Sequence, residues 1–282
     1  MSPRPDAANE EQSTYWNGPP GQRWVAEQES QDKLFTPITA ALFETASPRA
    51  GEAVIDVGCG AGETTLRLAA ITGRALGVDV SEPLLARARA RGQATGSPAR
   101  FECADATAYD FADEAADLMT SRFGVMFFAE PARSFANLRK GLKPGARLVF
   151  ACWRDPKLNP WLMAPYAAAI KHAPAPPRPG PDDPGPFSFA DEQRVRRILG
   201  EAGFTEVTLT PRDFALDIGV GGGLENAVAK SLAIGPASRA LDDQPESVRA
   251  EARAEIRAIL SEHVRDGAVP LAAAIWIVRA RS

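Results

Sequence analysis

Histidine, tyrosine and cysteine are scarce in this chain, at two, three and three residues out of 282. No acid–base pair stands out. His172 and His263 both read as helix-end or surface residues, with a base role for His172 kept only for the case in which its lobe closes over a site, because imidazole titrates near neutral pH. Cys59, Cys103 and Cys152 lie singly, without a C-x-x-C pair, which reads as buried thiols in a reducing cytoplasm. No run of Lys or Arg interrupts a chain of formal net charge −4, so the electrostatic footprint of a nucleic-acid binder is missing. No apolar stretch approaches the roughly 18 residues of a membrane span. Residues 1–14 are polar and acidic, lack the apolar region of a signal peptide, and are expected to be a disordered tail. No repeat with a period of about 20–50 residues is visible, which excludes solenoids and propellers.

What is present is a glycine turn. Residues 54–65 read Val-Ile-Asp-Val-Gly-Cys-Gly-Ala-Gly-Glu-Thr-Thr. An apolar strand ends in Gly58, Gly60 and Gly62, and the helical pattern of Leu66, Leu68 and Ala69 follows. Strand, tight turn and helix start in that order let backbone approach a ligand and present unpaired N–H groups to it. A dinucleotide fingerprint would need its third glycine at position 63, where Glu63 would place a charge beside a pyrophosphate. Asp56, two residues before the first glycine, instead suits a ligand carrying positive charge.

Further strands follow in register. Ala75–Val80 ends in Asp79, 19 residues after Gly60, close to the interval of about 20 at which a second strand offers an acid to ribose hydroxyls. An ionised Asp only accepts, so it suits two adjacent hydroxyl donors. Residues 101–106 read as a third strand with the acid Asp105 at its end, residues 116–123 as a fourth, and Leu142-Lys143-Pro144-Gly145 as a turn into a fifth. The expected fold is α/β: a doubly wound, mostly parallel seven-stranded sheet with helical cap insertions.

The pattern Asp-x-Gly-x-Gly-x-Gly resembles the class I S-adenosylmethionine-dependent methyltransferases, whose fold is Rossmann-like. Tyr15-Trp16-Asn17-Gly18, Ser121–Phe128 and Leu142–Gly145 resemble the ubiquinone/menaquinone-biosynthesis-type branch, over about residues 15–154. The resemblance implies S-adenosylmethionine as cofactor. Gly58, Gly60 and Gly62 would hold its methionyl part, Asp79 its ribose, Asp105 with Ala106 its adenine, and Ser121 with Arg122 would line it near the methyl; Asp56 and Val80 are further cofactor-binding candidates. Methyl transfer from a sulfonium is an in-line displacement that mainly needs alignment and exclusion of water.

Absences narrow the acceptor. The fourth strand lacks the Asp/Asn-Pro-Pro-Tyr/Phe signature of nucleic-acid N-methyltransferases. Cys103 and Cys152 do not follow proline, and Ser121 and Arg122 replace the acids of metal-dependent catechol-type enzymes. A small, largely apolar acceptor handled without metal is expected, with Tyr15, Trp16, Trp24, Phe123 and Trp153 as its contacts. A cofactor-binding module without catalysis and an NAD(P)-dependent oxidoreductase are the rival readings.

Residues 15–282 read as one domain, with an N-terminal aromatic and helical lid over 15–47. Residues 15–24 read as a turn-rich patch that either packs onto the helix carrying Leu34 and Ile38 or closes over an acceptor. Beyond Trp153 the chain carries a short helix, a Pro-rich connector over 173–186, a helix opened by a Ser188/Asp191 capping box, and a strand over 206–216. An amphipathic helix over 246–264 and a last strand over 271–278 follow. Strands six and seven are thus separated by roughly 54 residues, and residues 155–187 and 217–268 read as two cap lobes, since long structured insertions usually have a function. A packing or homodimer extension is the alternative use.

Overall fold

Val54–Val57 is a strand buried at every residue, as a central parallel strand covered on both faces must be. In the computed structural model, which describes residues 9–174, 180 and 182–282, it is β1 of a seven-stranded sheet. The others are β2 (Ala75–Asp79), β3 (Arg100–Cys103), β4 (Ala116–Arg122), β5 (Leu142–Trp153), β6 (Thr205–Asp217) and β7 (Pro270–Arg281). Their order is β3-β2-β1-β4-β5-β7-β6, parallel from β3 to β5, with β7 antiparallel to both neighbours. This is the doubly wound, mostly parallel sheet expected. Strand order reverses between β1 and β4, and such sheets bind ligands in the crevice beyond the carboxyl ends at that point.

Helices α1 (Glu10–Asn17), α2 (Pro19–Ala26), α3 (Gln28–Leu34) and α4 (Thr36–Ala46) precede the sheet. Residues 10–14 are therefore largely helical rather than part of a disordered tail; residues 1–8 lie outside the described residues. Residues 15–24 are also mostly helix, because Pro19 sits in the first turn of α2, where its missing N–H costs nothing. Trp24 is half-buried against the main core.

Crossover helices α5 (Glu63–Thr72), α6 (Glu82–Thr95) and α7 (Pro131–Arg139) link the parallel strands. Ser81 caps α6 by accepting from Leu84 N, and the helix ends at left-handed Gly96, one turn beyond Gly92. A further helix, α8 (Pro160–Ala169), precedes α9 (Glu192–Glu201). Asp191 alone caps α9, accepting from Arg194 N at 2.8 Å; Ser188 donates instead to Met126 O at 2.7 Å. The α9 residues Val195, Ile198 and Leu199 are buried at helical spacing.

The insertion between β6 and β7 holds α10 (Gly223–Ala233), α11 (Pro236–Leu241) and α12 (Glu246–Ser261). Helix α8 packs against both α11 and α12, so the two expected cap lobes form one helical lobe. Ala252, Ile256 and Leu260 give α12 the buried stripe that makes this packing favourable. Among the described residues, no helix is long and apolar enough to cross a membrane.

Candidate active site

The glycine turn after β1 lies at the switch point. Gly58 has φ +67°, and a Cβ on it would stand 2.6 Å from the Cα of Gly124, in the loop after β4. Only glycine lets these two loops meet. Gly60 has φ +53°, and the space where its Cβ would project is empty within 4 Å. That space belongs to a cavity of about 270 Å³ walled by Gly58, Cys59, Gly60 and Ala61 at the turn. Gly62 faces the other way: its Cβ would meet Ala88 and Phe101, so it serves helix–sheet packing rather than a ligand.

Three acids stand near the strand ends, and they differ. Asp79 lines the cavity, and its carboxylate accepts from Gly60 N at 2.8 Å and Ser81 N at 2.9 Å. Burial pushes its pKa up, and these backbone N–H groups pull it back down. Asp105, 4% exposed, also lines the cavity and accepts from Thr107 N at 2.9 Å and Asn9 Nδ2 at 3.0 Å. Val80 and Ala106 adjoin them on the wall.

Asp56 is the exception. It is fully buried, is not on the cavity wall, and accepts from the hydroxyls of Thr64 and Thr65, both at 2.6 Å, and Thr120 at 3.3 Å. Burial raises its pKa to about 6, against the pull of those hydroxyls and of Arg122. The carboxylate expected to meet a cationic ligand instead ties β1 to α5 and β4. Ser121 is likewise buried off the cavity, accepting from Gly124 N at 3.1 Å to shape the loop after β4.

Arg122 does reach the cavity. Its Nη1 donates to Glu63 Oε2 at 2.7 Å and to Thr39 Oγ1 at 2.6 Å, while Glu63 Oε1 accepts from Arg67 at 2.9 Å. Nearby on the wall, Asp32 of α3 accepts from Arg91 Nη2 at 2.8 Å and from the Gln28 amide. Arg91 Nη1 donates to Ala61 O at 2.7 Å, so one guanidinium fastens α3 to the glycine turn. Burial raises the pKa of Asp32, and Arg91 opposes the shift.

The remaining wall is aromatic and aliphatic. Phe123 and Trp153 stack at 4.1 Å, and Phe35 and Trp161 pack against the pair. Trp16 contacts Trp24 and Phe127 edge-on to make a second aromatic group. Leu162, Pro165, Ile218 and Ile234 add aliphatic surface from α8 and the insertion. Of the residues expected to touch an acceptor, Trp16, Trp24, Phe123 and Trp153 line the cavity. Tyr15 does not: its ring lies edge-on to Trp16 and under the Arg239 guanidinium. His172 is also off the wall, with Nδ1 3.3 Å from Glu251 Oε2. Sequence reading missed Gln28, Gln31, Asp32, Phe35, Trp161 and Lys230, because their approach is made by tertiary packing and no local period marks it.

Residues 55–150 match a family model described as a methyltransferase domain. The demethylmenaquinone methyltransferase of Clavibacter sepedonicus is 34% identical over 116 residues, covering 41% of this chain and 47% of that protein. That of Thermus thermophilus is 36% identical over 108 residues, covering 38% and 49%. The chain thus spans about half the length of the curated relatives it matches. Among solved structures, phosphoethanolamine N-methyltransferase 2 of Haemonchus contortus, bound to phosphomonomethylethanolamine and S-adenosylhomocysteine, is similar with a TM-score of 0.58. It is 14% identical, covering 99% of this chain and 61% of that one, a likeness of fold.

Proposed function

We propose that this chain, whose residues 55–150 match the methyltransferase-domain model, is a class I S-adenosylmethionine-dependent methyltransferase that transfers a methyl group to a small, largely apolar organic acceptor. The observation that carries the reading is one cavity running from the glycine turn, Asp79 and Asp105 to the aromatic wall of Phe35, Phe123, Trp153 and Trp161.

The residues present fit the cofactor. The empty space beside Gly60 admits close approach of a ligand to backbone. Asp79 uses one acceptor site of each oxygen on a backbone N–H, leaving lone pairs for vicinal hydroxyls. Asp105 and Ala106 would take the adenine, and Gly58, Gly60 and Arg122 the methionyl side. When bound, S-adenosylmethionine supplies a methyl group already activated by its sulfonium. The protein then has to align an acceptor and exclude water, which needs neither a metal nor a general base.

The acceptor follows from the wall. Stacked rings and aliphatic side chains favour a flat, weakly polar molecule. A phosphate-bearing acceptor would want an unpaired cation, whereas Lys230 on the wall is paired with Glu27. Demethylmenaquinone, after which both curated relatives are named, is a reasonable first acceptor to try among quinols and phenols.

Titration with S-adenosylhomocysteine and with NAD, followed by a methyl-transfer screen over that panel, tests the proposal. Binding of the first and not the second, with turnover of an apolar ring, is expected. Binding without turnover of any acceptor would favour a non-catalytic module, and binding of NAD alone would favour an oxidoreductase.

A further inference from the structure

Asp32 and Arg122 both line the cavity, lie within electrostatic reach of each other, and have hydrogen-bonding capacity to spare. Asp32 Oδ2 takes both the Arg91 guanidinium and the Gln28 amide, and among the described residues Oδ1 has no partner. Arg122 engages Glu63 and Thr39 through Nη1, and among the described residues its Nε and Nη2 have none. Both side chains are largely buried, at 20% and 14% exposed. A partly buried carboxylate and a partly buried guanidinium, each with free valence, present opposite charges to one small region. Glu63 is already committed to side chains on both oxygens, Oε1 to Arg67 and Oε2 to Arg122 and Thr39, and its charge is offset by the two guanidiniums.

We propose that Asp32 and Arg122 form a clamp for a zwitterion, the free Asp32 oxygen accepting from the α-ammonium of the bound cofactor and the free Arg122 N–H groups donating to its α-carboxylate. The inference rests on the methyltransferase reading. It assigns the amino-acid end of the ligand to side chains of α3 and β4, whereas the sequence pattern pointed to Asp56. Burial raises the Asp32 pKa, and a cationic ligand group beside the carboxylate would offset that cost. Arg91 plays a separate part. By holding Asp32 Oδ2 and Ala61 O together, it sets the distance of the clamp from the glycine turn.

Two ligands isolate the clamp: S-adenosylhomocysteine carries the zwitterion and 5′-methylthioadenosine lacks it. Calorimetry of both on wild type, Asp32→Asn, Asp32→Glu, Arg122→Lys and Arg91→Met reads the difference, with melting curves confirming that each variant is folded. Asp32→Asn is expected to weaken S-adenosylhomocysteine by about tenfold to a hundredfold, the range for a lost charge-assisted hydrogen bond, and to leave 5′-methylthioadenosine unchanged. Arg122→Lys should repeat the pattern more weakly, Asp32→Glu should restore part of the discrimination, and Arg91→Met, which frees Asp32 from the turn, should lower the ratio between the two ligands as well. Equal losses for both ligands, or no loss for either, would overturn the clamp while leaving the methyltransferase reading in place. If wild-type protein binds neither ligand, that reading fails and the clamp with it.

Discussion

Arg23 of α2 and Asp242, just past α11, form an ion pair at 2.9 Å across 219 residues of sequence. Lys230 of α10 pairs with Glu27 between α2 and α3, and the Arg239 guanidinium lies 5.3 Å from the centre of the Tyr15 ring. Both sides of this clasp wall the cavity, Trp16, Trp24 and Gln28 on one and Lys230, Ile234 and Pro236 on the other. The N-terminal helices and the helical lobe therefore close one cavity jointly.

The first prediction concerns release. Partly exposed ion pairs are worth about 0.2–1 kcal/mol each. Asp242→Asn combined with Glu27→Gln should therefore speed the dissociation of S-adenosylhomocysteine by roughly twofold to tenfold. Added salt should do the same to wild type, since it screens such pairs. Stopped-flow displacement measures both, and rates indifferent to salt and substitution would mean that ligands enter elsewhere.

The second separates two glycines by their surroundings. Gly58→Ala would drive a Cβ to 2.6 Å from the backbone of Gly124 at φ +67°, so it should destabilise the fold by about 2–4 kcal/mol. A Cβ at Gly60 would have no protein atom within 4 Å and would project into the cavity, so Gly60→Val, despite the strain of φ +53°, should stay folded and lose cofactor binding. Melting temperature and calorimetry on the two variants distinguish the outcomes; a Gly60→Val that binds normally would move the ligand off this turn.

The third concerns Asp79. Its carboxylate braces the turn through Gly60 N and Ser81 N as well as facing the cavity. Asp79→Ala should cost about 1–3 kcal/mol of cofactor affinity and also lower the melting temperature, since two backbone donors lose their acceptor. Asp79→Asn keeps one acceptor oxygen and should lose less of both. An unchanged affinity by calorimetry for Asp79→Ala would remove the ribose assignment.

Much of the sheet was legible because strands such as β1 and β2 are local apolar runs closed by a glycine or an acid, and strand-end residues such as Asp79 and Asp105 are placed by that punctuation. Asp56 was misread for a related reason. A strand buried on both faces has no alternation, so nothing local tells whether its carboxylate points to ligand space or into the threonines of α5 and β4. The rest of the site was illegible on physical grounds. Asp32, Trp161 and Lys230 come from three remote segments, and their meeting depends on how α3, α8 and α10 dock on the sheet. Tyr15 and Trp16 are neighbours in one helix, yet only Trp16 faces the cavity, which helical phase decides and composition cannot.

The last prediction follows from the cost of that buried carboxylate. Asp56 is raised from 3.8 to about 6 by burial, despite three threonine donors. An acid whose folded pKa lies above its unfolded value binds its proton more tightly in the native state. Between pH 3.8 and about 6 the native protein therefore holds more protons than the unfolded chain at this residue, and stability from this group falls as pH rises through that window. Above it the loss is complete, at about 2–3 kcal/mol. Asp56→Asn has no charge to bury, and the threonine hydroxyls can turn to accept from its amide as well as donate to its carbonyl. The stability of Asp56→Asn relative to wild type should thus climb between pH 4 and pH 6 and stay level from pH 7 to pH 8. Denaturant unfolding at each pH measures it. A difference that stays flat from pH 4 to pH 8, or one that falls as pH rises, would show that Asp56 is not the strained carboxylate its surroundings describe.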